Sequence, residues 1–160
     1  MLFLAAVLLL AITPGHAPRA AMSGPTSIPQ VDDSNVRPPV TPDDIRIVER
    51  AKSILSSTAV WNRQDNRKCP AGATTYSLYC ALEKASGEIS EHFAHREAAM
   101  QEVRFVVDDI ARNRNYEHRL MDYNNDPTTT LGDIQNVLDR AESNIKKRLA
   151  EQHQAQQPKP

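Results

Sequence analysis

The stretch TLGDIQNVLDRAESNI, residues 130–145, decides the fold class. Its apolar residues Ile134, Val137, Leu138, Ala141 and Ile145 recur at three- and four-residue steps, the period that lines one face of an α-helix. Thr130 followed by Asp133 is a Thr-x-x-Asp start signal, in which hydroxyl and carboxylate cover amides that a first helical turn leaves free. The same grammar opens residues 41–55, TPDDIRIVERAKSIL. Thr41 caps, Pro42 suits the first helical position, and Asp43 and Asp44 face the positive end of the helix dipole. Ile45, Val48, Lys52 and Leu55, flanked by Ile47, Ala51 and Ile54, then form a broad face, and the helix ends near Ser56 and Ser57 with Trp61 beyond it as a core anchor.

Two further helices are expected between these. One runs from about Thr75 to Ser86, with Tyr79, Leu82 and Ala85 on one side and Gly87 as its stop. The other starts near Ser90 and buries Phe93, Met100, Val103, Val107 and Ile110, leaving Glu97, Gln101, Arg104, Asp108 and Arg112 to solvent. The expectation is an all-α, compact bundle of about four amphipathic helices.

Outward from this core the chain changes character. Residues 1–12, MLFLAAVLLLAI, are an uncharged apolar run matching a signal-peptide core and too short to span a bilayer; small residues around Gly15, Ala17 and Ala20 offer cleavage sites. Residues 1–21 read as a signal peptide, so the chain is expected to be periplasmic or secreted, touching a membrane only through an uncleaved signal segment. Residues 22–40 carry Pro25, Pro29, Pro38 and Pro39 among Ser, Asp and Asn, a composition with too little apolar surface to offset ordering entropy. They read as a disordered tether, residues 152–160 (QHQAQQPKP) as a disordered tail, and residues 41–151 as the helical domain.

Composition excludes several functions. With 19 Lys+Arg against 20 Asp+Glu, and 18 against 20 once the signal is removed, no basic surface for nucleic acid is expected. Five Gly and no GxGxxG or GxxxxGK[ST] rule out a glycine-rich phosphate cradle. Two Cys are too few for a four-Cys zinc site; in an exported chain Cys69 and Cys80 are expected to pair, closing a short loop and stabilising by roughly 3 kcal/mol. No cofactor is implied.

Four sets of residues carry candidate chemistry. His92 and His95, in HFAH at the expected start of the third helix, are spaced to share one face and a transition metal, although the glutamate of H-E-x-x-H is missing between them. Asp122, Asn124, Asp126, Thr128, Thr130 and Asp133 occupy positions 1, 3, 5, 7, 9 and 12 of an EF-hand-like Ca²⁺ loop, but Pro127 stands at position 6, where the turn needs a positive φ. Arg112, Arg114, His118 and Arg119 form a basic cluster around Tyr116, with Asp122 and Asp126 to neutralise it. His118 with Asp122 is a conceivable hydrolase pair, and Asp108-Asp109 a carboxylate pair; no nucleophile motif accompanies them.

The segments Tyr79-Cys80-Ala81-Leu82 and Tyr123-Asn124-Asn125-Asp126, the latter followed by Thr128 to Thr130, Val137 and Ala141, resemble an uncharacterised bacterial and phage domain family of unknown function. Its members carry an aromatic-Cys-Ala-Leu helix motif and an aromatic-Asn-Asp turn before the last helix; here an extra Asn is inserted. The resemblance implies a helical fold and assigns no catalytic residue. The reading that follows is an exported, non-enzymatic binding module for an unknown protein or small ligand, with Trp61, Tyr123, Asn124 and Asp126 as its candidate binding residues. The alternatives are a metal-binding protein, at residues 122–133 or at His92 and His95, and a hydrolase.

Overall fold

A computed structural model describes residues 37–157; the expected signal segment, most of the tether and the last three residues lie outside the described residues. The described chain is all-helical: α1 (Pro42–Ile54), α2 (Leu78–Ser90), α3 (Ala98–Ile110), α4 (Arg119–Asn125) and α5 (Leu131–Ala155). Among the described residues there is no strand beyond an isolated parallel bridge between Trp61 and Tyr76. No helix there is long and apolar enough to cross a membrane. α1 packs against α2 and α5, and α3 against α5 and α4. The shared core is built from Val48, Leu55, Leu78, Leu82, Met100, Val103, Ile134, Leu138 and Ile145. Each fully buried aliphatic side chain of this size contributes roughly 1.5–3 kcal/mol.

α1 and α5 begin where their capping residues say they should. Thr130 Oγ1 accepts from the Asp133 amide, and the Asp133 carboxylate accepts from the Thr130 amide at 2.9 Å. Asp44 does more than the start signal implies. One oxygen accepts from the Thr41 amide (2.7 Å) and hydroxyl, and the other from the Ala99 amide at 2.8 Å, so one buried carboxylate caps both α1 and α3.

That bond moves the expected start of the third helix. α3 begins at Ala98, not near Ser90, because α2 runs through Gly87 to Ser90 and stops only at Glu91, which adopts the left-handed conformation (φ 59°). Residues 91–97 form an irregular connection. On α3, Ile110 is exposed, whereas Gln101, expected on the solvent face, is buried, as is Glu102. The fifth helix, α4, falls in a segment expected to be a turn.

The folded unit also extends beyond the expected limits of 41 and 151. Val40 is buried and exchanges two hydrogen bonds with Gln152: its amide donates to Oε1 (3.0 Å), and Nε2 donates to its carbonyl (2.9 Å). Arg148 donates to the Pro38 carbonyl and, like Arg37, pairs with fully buried Glu102. The end of the tether is thus strapped across α3 and α5, and α5 continues three residues past Gln152.

The expected disulfide is formed, with Cys69 and Cys80 sulfurs 2.00 Å apart and Cα atoms 5.3 Å apart. It fastens the long connection between α1 and α2, residues 55–77, to the first turns of α2.

Candidate functional site

Two polar regions of the molecule compete for attention. The first is the constellation expected from sequence. Trp61 and Asn124 do meet, but inside the fold. Asn124 is fully buried, and its Oδ1 accepts from Trp61 Nε1 (2.9 Å) and from the Leu78 amide (3.0 Å), the first amide of α2. Its Nδ2 donates to the Asn62 carbonyl (2.9 Å) and to Asn125 Oδ1 (3.1 Å). Two donors and two acceptor lone pairs are all that an amide side chain has, so Asn124 has no capacity left for a ligand. Asn125 pairs with the backbone of Asp65, accepting from its amide at 2.7 Å and donating to its carbonyl at 2.8 Å. Arg63 Nη2 reaches the carbonyls of Asp126, Pro127 and Thr129. Asp126 accepts from the Thr128 amide and hydroxyl and from Tyr116 Oη. The Thr128 bonds first, then the Tyr116 hydroxyl, hold the Asp126 carboxyl down at about 2. Tyr123 is buried edge-on to Tyr116. Together these residues lock the 55–77 connection onto α4.

The second region is a cavity of about 150 Å³ where α2, α3, α4 and the connections that precede each of them come together. Arg67, Arg96, Arg104 and Arg119 line it with His95, His118, Tyr79, Gln101 and the single acid Glu117. Each arginine arrives from a different segment. Arg67 sits in the disulfide-fastened connection at φ 59°, between Asx turns made by Asp65 and Asn66. Arg96 belongs to residues 91–97, Arg104 to α3, and Arg119 to α4, where it pairs with Asp108 at 2.9 Å. Arg104 donates to the His95 carbonyl (2.7 Å) and Gln101 Oε1 (2.8 Å), and its Nη2 lies 3.2 Å from His95 Nε2. Burial, then the charges of Arg119 and Arg96, pushes Arg104 down to about 10. Burial and the neighbouring Arg104, Arg96 and Arg67 likewise push the His95 imidazole below its ordinary value, favouring the neutral ring. Tyr79 and His95, both lining the cavity, meet at a tilt, and each packs edge-on to Phe93.

Residues 39–144 match the family of unknown function DUF6197. The chain belongs to this family. No curated protein and no solved structure matches it. Both the lock and the cavity fall inside the DUF6197 segment. In the first motif, Cys80 forms the disulfide, Ala81 and Leu82 are core and Tyr79 walls the cavity; in the second, Asn124 is the centre of the lock.

The other sequence candidates in the DUF6197 domain are spread apart. Among the described residues no group of three His, Cys, Asp or Glu side chains is placed to hold a metal ion. His92 and His95 do not share a helical face, because the segment is not helical; His92 Nδ1 bonds the Ser90 carbonyl and His95 faces Arg104. In the EF-hand-like stretch, Asp122 accepts from the His118 amide, Asn124 and Asp126 serve the lock, and Asp133 caps α5. Residues 122–125 are helical rather than wound around a cation. Asp122 therefore meets the backbone of His118, and only His118 lines the cavity. The basic cluster divides: Arg112 pairs with Asp109, Arg114 with Asp126, and His118 and Arg119 go to the cavity. Arg67, Arg96 and Tyr79 were not legible as site residues, and Arg104 reads as solvent-facing. Their only sequence signal is side-chain type, three cations and one aromatic.

Proposed function

We propose that this DUF6197 domain is an exported, non-enzymatic binding module whose ligand is a small anion held in the arginine-lined cavity. One observation carries the reading: four arginines from four segments line one concavity whose lining includes a single carboxylate side chain, Glu117. The chain as a whole is near neutral, with a formal charge of −1, so this concentration of positive charge is local. Holding like charges together costs free energy in the empty protein, and an anion relieves that cost. A partly desolvated guanidinium such as Arg104 also binds oxyanions more strongly than an exposed one. Export is supported by the apolar run at residues 1–12 and by the Cys69–Cys80 bridge, a bond that persists in oxidising compartments.

Calorimetric titration of the purified protein with phosphate, sulfate, acetate and succinate tests the ligand reading. Saturable binding of at least one of these, weakening as salt rises, is the expected result; no binding of any of them overturns it. Export is tested by alkylating intact cells: Cys69 and Cys80 should resist modification until a reductant is added.

A further inference from the structure

We propose that Glu97, Ser86 and the His92 carbonyl form a proton-operated latch on residues 91–97. With a proton on the Glu97 carboxyl the three groups join in one hydrogen-bonded chain; without it the chain breaks at His92.

Ser86, fully buried on α2, has one hydroxyl hydrogen, yet two acceptors lie within its reach: the His92 carbonyl at 3.1 Å and Glu97 Oε2 at 2.7 Å. An ionised Glu97 can only accept, so Ser86 gives its hydrogen to one oxygen and leaves the other without it. The shorter, charge-assisted contact takes the hydrogen, and the His92 carbonyl loses its donor. A protonated Glu97 removes the conflict. Its O–H donates to Ser86 Oγ, Ser86 donates to the His92 carbonyl, and each hydrogen in the chain has an acceptor.

The other carboxyl oxygen favours the same state. Glu97 Oε1 is buried and has no hydrogen-bond partner among the described residues. As half of a carboxylate, such an oxygen carries charge out of water uncompensated; as the carbonyl of an acid it costs far less.

The surroundings of Glu97 agree on balance. Burial pushes its carboxyl above the ordinary carboxylate value; the Ser86 hydroxyl and the Ala94 amide act against this, Asp44 of α1 adds to it, and His92 opposes it. Asp43 of α1 and Glu91 line the same hollow as Glu97, and Arg104 of α3 interacts with it from the other side of the connection. The net direction is upward. The folded chain therefore holds this proton more tightly than the unfolded chain, so the latch stabilises the fold in acid and its contribution is lost as pH rises through the raised value.

His92 and Glu97 stand near the two ends of the connection, and His95 and Arg96, which line the arginine cavity, lie between them. The latch thus governs how firmly that part of the cavity wall is held, and it does not depend on what the cavity binds.

The test is an NMR titration of the Glu97 side-chain carboxyl in the full chain, with amide exchange measured across residues 91–97 on either side of its midpoint. Glu97→Gln and Ser86→Ala are measured alongside. Glutamine carries a permanent N–H donor in place of the acid's O–H, so Glu97→Gln mimics the closed latch. Glu97 should titrate above its ordinary value of about 4.3. The Glu97 amide, bonded to the Ala94 carbonyl at 3.0 Å, should exchange about fivefold faster above the midpoint than below it once intrinsic rates are divided out. Glu97→Gln should keep the slow rate at both pH values, and Ser86→Ala the fast rate at both. Should Ser86→Ala fail to fold, the comparison of wild type with Glu97→Gln decides the matter. Glu97 titrating at or below its ordinary value, or wild-type exchange equal on both sides of the midpoint, overturns the latch.

Discussion

The lock around Asn124 and the arginine cavity are built from the same segments, yet they differ in how their polar groups are matched. In the lock, each capacity of Asn124 is used and Asn125 pairs with both backbone groups of one residue. The cavity lining instead gathers four arginines with one carboxylate side chain, Glu117. The lesson is that buried polarity alone does not mark a binding site. A saturated network has nothing to offer a ligand, whereas an unbalanced concavity gains free energy by taking one.

The sharpest way to break this contrast is Asn124→Ala. It leaves the Trp61 indole N–H and the Leu78 amide buried without acceptors, so a loss of about 2–5 kcal/mol is expected in chemical denaturation. Removing the bridge with Cys69→Ser and Cys80→Ser should cost roughly 3 kcal/mol by the same measurement. It should also weaken phosphate binding, because Arg67 lies two residues before Cys69 and loses its anchor; titration with and without reductant checks this. Arg67→Gln is expected to do the reverse of Asn124→Ala, costing about tenfold in anion affinity with a melting temperature nearly unchanged.

Smaller effects follow from titration. His95, facing Arg104 from α3, Tyr79 from α2, Arg67 from the 55–77 connection and Arg96 beside it, has a lowered folded-state value. Its contribution is present above the ordinary value near 6.5 and is lost as pH falls. Saturating phosphate should raise the His95 value, read from its ring resonances by NMR. Asp126, held at about 2, contributes stability above its ordinary value near 3.9 that is lost as pH drops toward 2. Acid unfolding of Tyr116→Phe should therefore begin at higher pH than that of the wild type.

The helical architecture and the disulfide were legible because their signals are local. Thr41, Asp44, Thr130 and Asp133 mark helix starts within three residues, and the α5 face repeats through Ile145. The start of α3 was not, because Phe93 keeps a helical spacing from Met100 while Glu91 turns left-handed and the cap on Ala99 comes from Asp44, 55 positions away. α4, with seven residues, is too short for periodicity to reveal. The motif Tyr123-Asn124-Asn125-Asp126 was visible, but its role depends on Trp61 and Leu78, distant in sequence. The cavity gathers Arg67 and Arg119 across half the folded chain, and nothing in linear spacing brings them together.

The reciprocal pair between Val40 and Gln152 has a practical meaning for engineering. Chain entry and exit lie within hydrogen-bond reach of each other, so the domain can be grafted as a cassette into a surface loop of a host protein without prying the host's loop ends apart. For the same reason a circular permutant, closed by a short linker between these ends and reopened in the exposed stretch at residues 112–115, should retain the bundle and report anion binding through a newly placed terminus.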